Sequence, residues 1–120
     1  MNNHIHIVWQ IQGGYKRENV QRDFLKFTAY NIKKDLEVNH PHVLKKFKVD
    51  AKDRSYQFWE RNALSIDLYT HDVFIQKIKY IHENPIRAKL CALPEDYKYS
   101  SSNFYYCADE TFEFITHYNE

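Results

Sequence analysis

The sequence predicts an α+β fold, with helices packed on one side of an antiparallel sheet. A β-branched and aromatic run at residues 5–12 contains no breaker and predicts a strand. Two longer stretches, at residues 18–38 and 71–84, carry apolar residues at intervals of three or four and predict amphipathic helices. Since 120 residues with 43% hydrophobic content supply enough apolar material for one core, we expect a single domain over residues 1–120.

Turn residues and spacing define the remaining elements. Gly13 and Gly14 end the first strand in a turn. Pro41 lies just beyond the first long helix, and Pro85 stops the second. In order, the predicted elements are a strand at 5–12, a helix from 18 to about 38, a short helical piece at 43–47, a strand at 56–61, a strand or loop at 64–69, the helix that carries Tyr80, a serine- and tyrosine-rich stretch at 97–106 and a short helix at 111–118.

Cysteine usage and hydropathy indicate the cellular compartment of the protein. Cys91 and Cys107 form no CxxC pair and no disulfide framework, which suits a reducing cytoplasm. No apolar run approaches the roughly 20 residues of a membrane span, and no secretory signal follows Met1. We therefore expect a cytoplasmic protein with no membrane partner.

Charge is distributed unevenly along the chain. The formal net charge is +1 at pH 7, but residues 14–54 hold eleven Lys and Arg against six Asp and Glu, whereas residues 90–120 hold one Lys against six acidic residues. The basic part can present a face to nucleic-acid phosphates, with tyrosines available for stacking on bases. For most of its lysines an ordinary solvated helix face is the simpler interpretation. We single out Lys16, Arg17 and Arg54 as candidate phosphate contacts.

Two histidines lie one residue apart in the first predicted strand. Residues two apart on a strand project from the same face, so His4 and His6 point the same way. Neutral imidazole is a common ligand of borderline divalent metals, and two imidazoles at this spacing can hold one ion. The alternative is a strand whose polar face carries two histidines without a metal.

Tyr80 lies on the second predicted helix. The buried stripe of that helix is Phe74, Ile78 and Ile81. Tyr80 therefore lies on its flank with Lys77 and with Asn84, its neighbour at i+4. A tyrosine in this position is either a rim residue of the core, with its hydroxyl in water, or a phenol nucleophile beside an amide that can bind the same ion.

Three blocks, MNNHIHIVWQ, YIHENPIRAKL and PEDYKYSSSNFY, resemble the HUH single-strand DNA nucleases, specifically the single-tyrosine transposases of the REP-associated kind. The likeness extends from Met1 to about Tyr106. It implies a ferredoxin-like antiparallel sheet with the histidines on a central strand and a helix bearing the nucleophile. It further implies that His4 and His6 are metal ligands, that Asn84 is the third polar group at the metal, and that Tyr80 attacks DNA. Gln57 and Trp59 resemble a further family block.

The chemistry that this resemblance implies is cleavage of single-stranded DNA near a hairpin through a covalent 5′-phosphotyrosine, with Mg²⁺ or Mn²⁺ as cofactor. A phenol is a weak acid, so Tyr80 needs help from the metal or from a basic neighbour such as Lys77 or His82. Glu83 is a second candidate for the metal ligand on the helix. The residues that we expect to contact DNA are Lys16, Arg17, Arg54, Trp59 and Lys77.

The sequence departs from the family pattern in two places. Asn2 stands where the family usually has proline, and the strand, helix and strand that precede the histidine strand in the family are missing here. We therefore expect an N-terminally truncated version of the fold, whose exposed sheet edge pairs with a second copy in a homodimer. Two alternatives stay open: an inactive relative that only binds hairpin single-stranded DNA, and a small metal-binding or structural domain with no nucleic-acid partner.

Overall fold

A computed structural model describes residues 1–118, which form four α-helices joined by turns and irregular segments. The α-helices are α1 (Arg17–Asn39), α2 (Pro41–Leu44), α3 (His71–Arg87) and α4 (Ser102–Cys107), with 3₁₀ turns at Lys45–Phe47 and Pro94–Asp96. The chain divides into two compact units. The middle unit is Trp9–Ser65, and the terminal unit is Met1–Val8 together with the residues from Ile66 onward.

The middle unit is organised around α1. This helix begins after Lys16, whose backbone is extended, and it ends where the backbone N–H of His40 donates to the carbonyl of Leu36. Pro41 then starts α2 at its first position, where a missing N–H costs nothing. The short helix α2 packs against α1 and buries Leu44, which is 6% exposed.

Aromatic contacts and one β-bridge complete the middle unit. The Trp59 indole N–H donates to the Thr28 hydroxyl on α1 at 2.9 Å. The rings of Phe47 and Phe58 lie 5.0 Å apart. An antiparallel bridge joins Lys48 to the chain around Tyr56, with flanking backbone hydrogen bonds of 2.9 Å.

The terminal unit is organised around α3. The Thr70 hydroxyl caps this helix by accepting from the Val73 N–H at 3.3 Å. The helix then continues through Pro85, which is buried, to Arg87. Our prediction that Pro85 stops the helix was therefore wrong. A proline in a helix removes only one hydrogen bond, and here helical bonding resumes at once, since the Ala88 N–H donates to the Asn84 carbonyl at 3.0 Å.

The predicted ferredoxin-like antiparallel sheet is wrong. Within residues 1–118 the only β-pairing is the bridge in the middle unit, and residues 5–12, 56–61 and 64–69 form no strands. The composition of residues 5–12 favours an extended chain, but a strand also needs a neighbouring strand to pair its backbone groups. No edge strand exists in the described part, so the homodimer stays a prediction without the sheet edge on which we based it.

The helix predictions are mostly confirmed. The first helix, predicted from 18 to about 38, is confirmed as Arg17–Asn39. The short helical piece predicted at 43–47 is present as α2 and the 3₁₀ turn that follows it. Residues 111–118 form turns rather than the expected short helix, with the Ile115 N–H donating to the Phe112 carbonyl at 3.0 Å. None of the helices in the described part is both long and apolar enough to cross a membrane.

We predict that Leu44→Ala lowers the free energy of unfolding of the middle unit by about 2–4 kcal/mol, because it leaves a cavity where α2 packs on α1. Both tryptophans, Trp9 and Trp59, lie in this unit, so their fluorescence during urea unfolding reports on it. Leu64→Ala is the control, since Leu64 is 86% exposed and should change stability by less than about 0.5 kcal/mol. Equal losses in the two variants would show that Leu44 is not a core residue.

Candidate active site

The start of the chain and helix α3 meet at a hydrogen bond in the terminal unit. His6 Nε2 and Asn84 Nδ2 lie 2.9 Å apart, although 78 positions separate the two residues in sequence. The two predicted metal ligands from distant blocks therefore contact each other. This contact does not require the histidine segment to be a strand in a sheet.

His4 and Tyr80 complete the group around His6. The rings of His4 and His6 lie 5.0 Å apart at their centroids, and those of His6 and Tyr80 lie 5.8 Å apart, each pair edge to face. His4 Nδ1 is held 2.8 Å from the Asn3 side-chain oxygen. We call His4, His6, Tyr80 and Asn84 the histidine–tyrosine site.

The face of α3 that carries Tyr80 also carries two charged groups. Positions 80, 84 and 87 are spaced by four and three residues and therefore share one helical face. The Arg87 guanidinium lies over the Tyr80 ring, 5.3 Å from its centroid, and its Nη2 pairs with Glu83 at 2.9 Å. Glu83 also lies 3.8 Å from the Lys79 ammonium. Glu83, our second candidate metal ligand, is thus engaged in ion pairs on α3.

Electrostatics at the histidine–tyrosine site favour a neutral His6. Burial lowers the pKa of His6 below its ordinary value, and the nearby His4 and the N-terminal ammonium lower this pKa further. At neutral pH the imidazole is consequently uncharged. A neutral ring has a lone pair with which to accept a hydrogen bond or bind a metal ion.

His6 and Asn84 are spaced as two ligands of one divalent ion would be. Two imidazoles and an amide oxygen are ligand types that first-row divalent metals accept. Neighbouring ligand atoms around an ion with bonds of about 2.1 Å lie about 3 Å apart, and 2.9 Å separates His6 Nε2 from the Asn84 amide. A half-turn of that amide exchanges Nδ2 for Oδ1. Within residues 1–118, no three side chains of the His, Cys, Asp and Glu types form a metal-binding group, so the candidate ligands are two imidazoles and an amide.

His82 is not available as a base for Tyr80. The residue is 1% exposed, with Nε2 2.9 Å from the Ser101 hydroxyl and Nδ1 3.4 Å from the Tyr106 hydroxyl. Both ring nitrogens are thus committed to α4 and the residue before it, and His82 joins α3 to α4. Lys77 is half-buried on α3, three residues before Tyr80.

The predicted DNA contacts of the middle unit are largely engaged in contacts within the protein. Lys16 is exposed at the start of α1. Arg17 pairs with Glu18 at 3.2 Å. Arg54 pairs with Asp53 at 2.7 Å and donates to the side-chain oxygen of Gln57 at 2.9 Å from Nη2. The Trp59 indole N–H is engaged by α1, as described above. That these residues contact DNA stays a prediction.

Arg87 is the residue at this site that the sequence analysis did not select. Arg87 follows Tyr80 by seven residues and Glu83 by four, and these intervals are typical of residues on one face of a helix. That signal depends on a helix that continues beyond Pro85, which the sequence analysis did not allow.

Comparison with known proteins gives no match. No protein family model matches the chain, and neither the curated proteins nor the solved structures include a significant match to it. The likeness to the HUH nucleases therefore depends on the three sequence blocks alone, and a function has to be argued from the geometry of the site.

We predict that the terminal unit loses stability as the pH falls below about 6.5 because of His82. Burial lowers the pKa of His82 in the folded protein below its ordinary value. Above the ordinary pKa of about 6.5, the neutral His82 ring makes its full contribution to the free energy of unfolding. This contribution decreases as the pH falls, until the folded protein also binds the proton. Thermal unfolding followed by circular dichroism from pH 8 to pH 5 measures this change.

The control for this prediction is His82→Gln, which keeps a polar side chain with a donor and an acceptor but does not titrate. The other histidines are the same in both proteins, so the difference between the two pH profiles isolates His82. The stability of the unmodified protein relative to the Gln variant should decrease as the pH falls through 6.5. Parallel profiles would show that His82 is protonated as readily in the folded protein as in the unfolded chain.

Proposed function

We propose that this chain is a metal-dependent single-strand DNA endonuclease and strand transferase that cleaves near hairpin DNA through Tyr80. The observation that carries the proposal is the meeting of His6, Asn84 and Tyr80, with a hydrogen bond of 2.9 Å between the first two and 5.8 Å between the rings of His6 and Tyr80. These residues come from two of the three blocks that resemble the HUH transposases. Their proximity supports the resemblance through local geometry, independently of the sheet that is not formed.

His4, His6 and Asn84 would hold the divalent ion, Mg²⁺ or Mn²⁺. Its chemistry would be to neutralise negative charge on the scissile phosphate. Nitrogen ligands favour Mn²⁺ over Mg²⁺ in affinity, because Mg²⁺ prefers oxygen ligands. The neutral state of His6 at physiological pH is the state that a metal ligand requires.

In the proposed reaction, the Tyr80 hydroxyl loses its proton to solvent and its oxygen attacks the phosphorus atom. A bond forms between Tyr80 Oη and phosphorus, and the bond from phosphorus to the 3′ oxygen of the preceding nucleotide breaks. The leaving oxygen takes up a proton and becomes a 3′ hydroxyl. The reverse reaction with another 3′ hydroxyl joins a new strand. Tyr80 is 43% exposed, as a residue that contacts DNA would be.

In the proposed reaction, Arg87 stabilises the negative charge that develops when Tyr80 attacks. Its guanidinium lies over the Tyr80 ring, 5.3 Å from the ring centroid, and would place a positive charge beside the attacking group. The ion pair with Glu83 holds the Arg87 side chain along the helix. Arg87 is thus a positioning and charge-balancing residue in the proposed reaction.

A second candidate is a protein that binds hairpin single-stranded DNA without cutting it. One observation favours it: the candidate ligands are two imidazoles and an amide, whereas sites for hard ions usually include a carboxylate. Both candidate functions act on intracellular DNA, and the sequence has no disulfide framework. We therefore propose that the protein is located in the cytoplasm.

We predict that the double variant His4→Ala/His6→Ala loses Mn²⁺ binding, with the affinity measured by calorimetry falling by more than about tenfold. The chain offers a matched control in His40 and His42, a second histidine pair with one residue between its members, whose rings lie 6.3 Å apart in the middle unit. Replacing both of these by Ala should leave the affinity unchanged. Binding should also weaken as the pH falls, since protons compete for the imidazoles. Loss of Mn²⁺ affinity in the control variant alone would show that the metal site lies in the middle unit.

We predict that Tyr80→Phe abolishes the covalent protein–DNA adduct and preserves hairpin binding, because the change removes one exposed oxygen and leaves the ring in place. The adduct is measured as a shifted band on a denaturing gel after incubation with a hairpin oligonucleotide and MnCl₂. Tyr99→Phe is the control, since Tyr99 is 72% exposed in the same unit and should leave the adduct unchanged.

Three results would decide against cleavage by Tyr80. An adduct in the Phe variant would show that another residue is the nucleophile. Hairpin binding without any adduct in the unmodified protein would support the second candidate function. Absence of both binding and adduct would exclude both candidates.

A further inference from the structure

Helix α1 carries an exposed stripe on the side opposite its half-buried apolar residues. The stripe consists of Asp23, Phe27, Tyr30 and Lys34, which are spaced by four, three and four residues and therefore lie along one line on the helix surface. We call these four residues the α1 stripe. The half-buried residues on the opposite side of the helix are Leu25, Ile32 and Leu36.

The centre of the α1 stripe is aromatic and open to solvent. Phe27 is 70% exposed and Tyr30 is 60% exposed. Side chains three positions apart on a helix are neighbours, so the two rings belong to one apolar patch rather than to two isolated residues. Single exposed apolar residues are normal on a protein surface, whereas a contiguous patch rimmed by polar groups is typical of an interaction site.

The two ends of the α1 stripe carry opposite charges. Asp23 pairs with Arg22 at 2.9 Å, yet 65% of the Asp23 side chain stays exposed and accessible to a further cation. Lys34 is exposed, and its ammonium lies 5.3 Å from the centroid of the Tyr30 ring. The order along the helix is thus acid, ring, ring, base over about 17 Å. Read in the opposite direction, the same pattern is base, ring, ring, acid, so the stripe is complementary to an antiparallel copy of itself.

We propose that the α1 stripe binds the α1 stripe of a second copy of this chain, with the two helices antiparallel. The register that places Phe27 opposite Tyr30 of the second copy also places Asp23 opposite Lys34, because both pairs are centred on the midpoint between residues 28 and 29. A twofold axis repeats each of these contacts. A parallel pair would instead place like charges together at both ends. A DNA strand fits the stripe less well, since Asp23 would repel its phosphates.

The area of the contact predicts a weak dimer. A buried aromatic side chain covers about 150–250 Å², so four rings that are 60–70% exposed supply on the order of 500 Å². Stable dimers bury about 1,200–2,000 Å². We therefore expect a reversible dimer with a dissociation constant on the order of 0.1 mM. This contact requires neither DNA nor metal, and it does not use the sheet edge that the sequence analysis assigned to a homodimer.

The test is sedimentation equilibrium of the full chain from about 10 µM to about 1 mM, a range that spans the expected dissociation constant. A reducing agent prevents cross-linking through Cys107, which is exposed. Asp23→Lys and Lys34→Asp should each weaken self-association on the order of tenfold, because each places like charges together at both ends of the contact. An equimolar mixture of the two variants should associate as the unmodified protein does, since one chain then carries two cations and the other two carboxylates.

Matched variants separate the stripe from general surface effects. Phe27→Ala should weaken self-association by more than about tenfold, whereas Leu64→Ala, at a residue of the same unit that is 86% exposed, should leave it unchanged. Asp50→Lys makes the same charge change as Asp23→Lys at an exposed residue outside α1, and it should also have no effect. Circular dichroism at about 10 µM should show the same helical content in all variants, because the changed side chains are exposed.

Three results would overturn the inference. The first is a monomer at every concentration. The second is a mixture of the two charge variants that associates no more tightly than either variant alone, which would exclude the antiparallel register. The third is equal weakening by Asp50→Lys or Leu64→Ala, which would show that association does not depend on α1. A monomeric protein whose hairpin binding weakens in Phe27→Ala would make the stripe a DNA contact instead.

Discussion

The contact between His6 Nε2 and the Asn84 amide is the interaction on which this account of the terminal unit depends. It joins the start of the chain to the last turns of α3 at a distance of 2.9 Å. Each of residues 2–8 keeps a substantial part of its surface exposed, so few packing contacts hold this segment. The contact brings the His6 ring beside Tyr80 and places the histidine pair over the helical face that ends in Arg87. In the proposed function a metal ion would replace this bond, because both side chains are candidate ligands.

The hydrogen bond requires a neutral imidazole if His6 is to accept from the Asn84 amide N–H, and the environment provides it. Partial burial and the charges of His4 and the chain terminus all act in the same direction on the pKa of His6. A proton would therefore compete both with the amide and with a metal ion. His82 shows the same principle in a deeper position, where burial alone lowers the pKa and two hydroxyl groups hold the ring. Protonation of either histidine would therefore oppose the burial of its ring, His6 at the contact with Asn84 and His82 between α3 and α4.

The sequence predicted those parts of the structure that short-range periodicity determines. The spacing of apolar residues was sufficient for α1 and for the presence of α3, and the interval of four placed Tyr80 and Asn84 on one face. The strand at residues 5–12 was wrong because alternation and β-branching describe a chain that can pair, while pairing needs a second strand that periodicity does not supply. Pro85 was read as a stop, although a buried proline is tolerated where its neighbours restore the helical bonds. Contact between His6 and Asn84 was predictable only through the resemblance, because short-range periodicity does not relate residues that lie 78 positions apart.

The measurement that tests the central claim most directly is paramagnetic broadening of ¹⁵N-labelled protein by Mn²⁺ added well below one equivalent. Broadening reports distance from the ion without requiring DNA or activity. The account predicts that the Asn84 side-chain amide and the backbone amides of His6 and Tyr80 lose intensity first. Broadening centred on His40 and His42, or on Asp109, Glu110 and Glu113, with the α3 resonances unchanged, would contradict it.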